Sequence, residues 1–146
     1  HKLFKLDRSP GFVQVLRNQV TLEDAVRVTR MGLSVLPAGG LERGTVPTLR
    51  RAQLTELLRG LHGSYDLIIM DAPPVLMMAN AIVMATAASA VLLVIRAGQT
   101  DRGAVQDAIG QLNLVGARLV GTVLNDPDGD LPRYSSGYYG AYSASS

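Results

Sequence analysis

Leu54, Leu57, Leu58 and Leu61 recur at i, i+3, i+4 and i+7, the spacing that lines one face of a helix. The pattern predicts an amphipathic helix that ends near Gly63. Upstream, "HKLFKLDRSPGFVQVLRN" offers Ser9 as an N-cap and Pro10 as the first residue of a short helix through Val15 and Leu16. "TLEDAVRVT" repeats the device, with Thr21 followed three residues later by Asp24 in a capping-box pattern. "LSVLPAGG", from Leu33, reads as a short buried strand and a Pro/Gly loop. In "YDLIIMDAPPVL" a branched apolar run, expected to be a buried strand, delivers the single carboxylate of Asp71 to its end. Pro73 and Pro74 then forbid any continuation as helix or central strand.

Beyond it, "MMANAIVMATAAS" is apolar all round and Ala-rich, the mark of a buried helix. "AVLLVIRAG", from Ala90, is an almost uninterrupted apolar strand. Thr100 offers a cap for the next helix, in which Val105, Ala108, Ile109 and Leu112 keep the helical period, and "RLVGTVLND" is the last strand. Helices and strands alternate, and the strands are apolar on both faces. That combination predicts an α/β fold, a parallel β-sheet flanked by helices on both sides. From Asp126 the period is lost: "DPDGDLPRYSSGYYGAYSASS" carries no charge after Arg133 and holds four of the five tyrosines. The expected organisation is an α/β portion over residues 1–125 and a flexible tyrosine-rich tail over 126–146.

Composition narrows the function classes. At 146 residues and 47% apolar content the chain can bury a core and is not disordered as a whole. Fourteen Lys+Arg against twelve Asp+Glu, with the arginines scattered, gives no basis for a nucleic-acid partner. Without cysteine there are no disulfides or thiolate metal sites, which fits an intracellular compartment. Apolar stretches are broken by Asn80, Arg96 or proline before the ~18 residues that a membrane span needs, and no signal peptide is visible.

In an open α/β sheet, ligands sit beyond the carboxyl ends of the strands, where Asp71 is expected. An aspartate there can hold Mg²⁺ through a water, since hard divalent ions prefer oxygen ligands. The plainer alternative is a carboxylate that only caps its loop. The tail tyrosines, spaced by glycine and serine, read from composition alone as a low-complexity sticky segment. His62 falls at a helix end and reads as a dipole partner, and no GxSxG accompanies it, so hydrolase chemistry has no footing.

These residues carry a family resemblance. "YDLIIMDAPPVL" resembles the Walker B segment of bacterial tyrosine autokinases, the ATP-dependent kinases of capsule and exopolysaccharide synthesis. "HKLFKLDRSPGFVQVLRNQVTLEDAV" is similar to the family segment after its second Walker motif, "GLSVLPAGG" to the strand and loop after that, and "LLVIRAGQT" and "VGTVLND" to its later strands, in the same order. The tyrosine cluster ends the chain where the family is autophosphorylated. The resemblance implies a P-loop NTPase-like sheet of the partition and cell-division ATPase type. It makes Asp71 the Mg²⁺-side acid of an ATP site and matches Asn125 to a position whose amide can contact adenine. Asn125 reads equally as a turn residue before "DPDG".

Arg96 and Thr100 match an "R…T" pair of the family, with Arg96 facing nucleotide phosphate or a neighbouring subunit and Thr100 capping a helix. Tyr134, Tyr138, Tyr139 and Tyr142 become acceptors of phosphate from adjacent copies of the same protein. The implied membrane partner is a polysaccharide chain-length-determinant protein or domain, and the implied location is cytoplasmic, peripheral to the inner membrane. Departures from the family pattern are Asn80 in place of an acid, Ala72 in place of threonine, and "LERGTVPTLRRAQL" in place of an "NPxELL" stretch.

A phosphate-cradling GxxxxGK[ST] loop does not occur in these 146 residues; the only lysines, Lys2 and Lys5, follow no glycine. The chain beginning at His1 is therefore expected to be the C-terminal portion of a kinase domain, incomplete and inactive by itself, with a natural truncation as the other explanation. Two further readings stay open: a partition or cell-division ATPase switch, which predicts no tyrosine phosphorylation, and a non-catalytic scaffold with a degenerate site.

Overall fold

A computed structural model describes residues 3–40 and 48–126. The tail tyrosines and the first half of "LERGTVPTLRRAQL", residues 41–47, lie outside the described residues. The chain divides into two compact units, His1–Ser64 and Tyr65–Ser146. Among the described residues no helix is long and apolar enough to cross a membrane.

The first unit contains α1 (Phe12–Leu16), α2 (Leu22–Ala25), β1 (Arg27–Val28), β2 (Ser34–Val35) and α3 (Arg51–Leu61). Helix α1 starts later than Ser9 and Pro10 predict, with Gly11 in the cap position. Its first-turn donors are satisfied by other groups: Phe12 N–H and Val13 N–H donate to the Pro37 and Ala38 carbonyls at 2.8 and 3.1 Å. Gly11 N–H donates to Gln14 Oε1 at 3.1 Å, and Gln14 Nε2 donates on to the Gly40 carbonyl at 3.0 Å. The Pro/Gly loop thus wraps the start of α1, and glycine is what permits the approach. A Cβ on Gly11 would lie 2.3 Å from the Pro37 carbonyl oxygen and 2.6 Å from the Gly39 nitrogen, both backbone atoms. Gly11→Ala is expected to destabilise this unit by about 1–3 kcal/mol through overpacking, read as a lowered urea midpoint.

Thr21 caps α2 as predicted, accepting from Asp24 N–H at 3.2 Å and donating to Asp24 Oδ2 at 2.8 Å. The segment after Leu33, expected in a parallel sheet, pairs antiparallel instead. Arg27 faces Val35 and Val28 faces Ser34 across a hairpin closed by Gly32 at φ +77°. Reversal is local because Thr29 N–H reaches the Leu33 carbonyl and Gly32 N–H the Thr29 carbonyl. In α3 the leucine stripe is the inner face: Leu54 is buried, while Leu57, Leu58 and Leu61 are half-buried. His62 is its C-cap.

The second unit contains α4 (Ala79–Ala87), β3 (Val91–Arg96), α5 (Arg102–Leu114) and β4 (Leu119–Asn125). Strands β3 and β4 are parallel, with register pairs running from Leu92↔Gly121 to Arg96↔Asn125, and α5 makes the crossover. The core joins Ala85 of α4 to Leu112 of α5 and Ala117, with Val75, Val91 and Leu119 packed against them. Helix α5 is capped by Asp101, whose Oδ1 accepts from Ala104 N–H at 2.8 Å, not by Thr100. Thr100 is held in the preceding turn by its own N–H, which donates to the Arg96 carbonyl.

Two sheet expectations need correction. Helices do not cover the β3–β4 pair throughout: among the described residues Leu92, Val94 and Val123 are exposed by 55%, 59% and 40%, and Val120 and Leu124, which alternate to the opposite face of β4, by 57% and 61%. The run before Asp71 is no buried strand: Leu67 is 74% and Ile69 82% exposed, and residues 67–74 join no ladder. Branched apolar side chains favour a strand, but only a neighbouring strand supplies the hydrogen bonds that define one. None is present beside this run among the described residues.

Candidate functional site

Asp71 stands where the apolar run gives way to the diproline. The Pro74 carbonyl accepts from both Met77 and Met78 N–H at 3.1 Å, a turn that leads into α4 and fixes the chain leaving the acid. Asp71 is exposed, and its carboxylate has no hydrogen-bond partner among the described residues. Asn80 lies in the first turn of α4. Among the described residues no three His, Cys, Asp or Glu side chains converge on a metal position. One free carboxylate suits an ion whose remaining ligands are water and phosphate, and does not make a protein cage.

The other candidates gather at the carboxyl ends of the parallel strands. Asn125, the last residue of β4, is exposed and pairs in register with Arg96, the last of β3. Its carbonyl accepts from Ala97 N–H at 2.9 Å. The Arg96 guanidinium is engaged by Asp126, with Nε at 3.3 Å and Nη2 at 3.1 Å from Asp126 Oδ2. The aspartate side chain is 7% exposed and that of the arginine 42%. Asp126 is thus the residue that sequence reasoning missed. Its only signal is an acid directly after one strand and a base at the end of the parallel strand, thirty residues apart. The structure joins Arg96, Asn125 and Asp126 and shows no bond from them to Asp71. Tyr134, Tyr138, Tyr139 and Tyr142 lie outside the described residues.

No family model matches the chain. It is 32% identical over 144 residues to the putative tyrosine-protein kinase EpsB of Ralstonia solanacearum, an alignment covering 97% of this chain and 19% of that protein. It is 30% identical over 140 residues to the putative tyrosine-protein kinase CapB of Staphylococcus aureus, covering 95% of this chain and 60% of the other. The kinase domain of the Escherichia coli tyrosine kinase ETK superposes with a TM-score of 0.74 at 27% identity, over 86% of this chain and 49% of that one. The chain therefore spans less than two thirds of the length of these proteins. Its resemblance to bacterial tyrosine kinases runs along nearly all its residues, and its architecture is that of part of their α/β kinase domain.

Proposed function

We propose that this chain is the C-terminal portion of an ATP-dependent tyrosine autokinase of capsule or exopolysaccharide synthesis. The observation that carries the reading is the alignment of almost the whole chain with tyrosine kinases, together with an exposed, unpartnered Asp71 at the end of its apolar run. Bound Mg²⁺–ATP supplies the activated γ-phosphoryl group. Asp71 orients a water on the metal and balances its charge, a role for which one hard oxygen donor suffices. Asn125 presents an amide to the base. A phosphate-binding loop, required to cradle the nucleotide, is contributed by a part of the protein other than these residues.

Tyr134, Tyr138, Tyr139 and Tyr142 of one copy accept phosphate at the site of another. The phenolic oxygen bonds the γ-phosphorus and gives its proton to solvent water, while the bond from the γ-phosphorus to the bridging oxygen breaks and ADP leaves with that oxygen and its electron pair. The protein works peripheral to the inner membrane face with a polysaccharide chain-length-determinant protein or domain.

The test compares two proteins incubated with Mg²⁺–ATP. The full-length polypeptide carrying these residues is expected to place phosphate on tyrosines within 134–142, and isolated residues 1–146 to place none. Phosphorylation by the isolated chain would overturn the proposal. So would a full-length protein that releases free phosphate from ATP without modifying tyrosine, the behaviour of an ATPase switch.

A further inference from the structure

The ends of β3 and β4 are held more tightly than two strand ends require. On β3, the Arg96 carbonyl accepts from Gln99 N–H at 3.4 Å and Thr100 N–H at 3.1 Å, a sharp turn through Gly98 at φ +68°. On β4, Asp126 takes the left-handed conformation at φ +56°, a region that costs a residue with a Cβ free energy. Three hydrogen bonds cross from the end of β3 to this corner. Ala97 N–H fixes the Asn125 carbonyl, and the Arg96 guanidinium fixes the Asp126 carboxylate through two nitrogens.

Asn125 is therefore pinned on its own carbonyl and at the residue that follows, while its side chain stays exposed. An ion pair with one buried member is poor evidence for stability on its own, because burial of the carboxylate offsets much of the attraction. Its position is more telling, since the carboxyl ends of parallel strands are where ligands bind. Two hydrogen bonds to one oxygen also give an orientation that a single contact would not.

From this geometry we infer that Arg96 and Asp126 form a positioning pair that holds the Asn125 amide for readout of a purine base. The inference rests on the nucleotide reading proposed above. An amide both accepts and donates. Held in one orientation, it suits the edge of adenine, which offers an amino donor beside a ring-nitrogen acceptor, and mismatches guanine, which has an acceptor oxygen in place of the amino group; an amide free to turn over would pair with either. The guanidinium of Arg96 acts here through Asp126 and Asn125, not as a phosphate ligand.

The experiment measures kcat and KM with ATP and with GTP for the full-length polypeptide carrying Asp126→Asn, Arg96→Lys, Asn125→Ala, or Asn125→Ala with Asp126→Asn. Asp126→Asn is expected to raise KM for ATP roughly tenfold, the loss of about one aligned hydrogen bond, with kcat little changed and the preference for ATP over GTP reduced by the same factor. Arg96→Lys keeps the charge but loses the fork, so it should fall between. The double variant should be no worse than Asn125→Ala, because residues acting through one another are not additive.

Unchanged ATP/GTP selectivity in both Asp126→Asn and Arg96→Lys would overturn the positioning role. So would additive losses, or a fall in kcat shared equally by both nucleotides. Should Asp126→Asn fail to fold, Arg96→Lys decides alone. If the unsubstituted protein binds neither nucleotide, the kinase reading itself fails and takes this inference with it, an outcome distinct from the others.

Discussion

Asp71→Asn in the full-length polypeptide is expected to lower the rate of tyrosine phosphorylation roughly 100-fold while leaving the fold unchanged. The magnitude follows from the role proposed for the carboxylate: groups that act on a metal through its ligands typically change affinity or activity by about 10–100-fold when removed. An amide keeps the size and one acceptor oxygen but loses the charge that offsets Mg²⁺. The fold should not notice, because Asp71 is exposed and has no partner among the described residues. Circular dichroism and the thermal midpoint are therefore expected to match those of the unsubstituted protein as phosphotyrosine is lost. Phosphorylation within about twofold of the original rate would remove Asp71 from the chemistry.

The second large effect concerns the acceptors. Replacing Tyr134, Tyr138, Tyr139 and Tyr142 together by phenylalanine is expected to abolish phosphate incorporation between residues 126 and 146 and to leave ATP affinity intact. Phenylalanine removes only the nucleophilic oxygen, so tail composition and apolar character persist. Transfer between copies also makes the initial rate of the unsubstituted protein rise with the square of its concentration, unless subunits are already assembled. Mass spectrometry of the tail peptide and a nucleotide-binding titration separate the two halves of this prediction. Loss of ATP affinity in the four-fold variant would mean that the tail belongs to the nucleotide site itself.

Local chemistry was legible in the chain where one element decides it alone. The leucine stripe of α3, the periodicity of α5 and the Thr21–Asp24 cap depend on residues three and four apart, and the structure contains all of them. Caps failed where another acceptor, distant or adjacent, took the same donors. Ser9 lost the start of α1 to the carbonyls of Pro37 and Ala38, and Thr100 lost α5 to Asp101. The hairpin partner Arg27–Val28 is too short to show any alternation.

The sheet was the least legible part, because an apolar run states what its side chains want and not which strand will pair with it. Leu67 and Ile69 read as buried and are exposed. Motif and position were enough to name Asp71, Arg96 and Asn125 as candidates. Asp126 was not, since its meaning depends on an arginine thirty residues away, brought beside it by the parallel register.

ATP affinity of the full-length polypeptide, measured with and without Mg²⁺ in the presence of Asp71 and after Asp71→Asn, tests the central claim most directly. Mg²⁺ is expected to strengthen ATP binding when the carboxylate is present and to lose most of that effect when it is replaced. Equal strengthening by Mg²⁺ in both proteins would contradict the account.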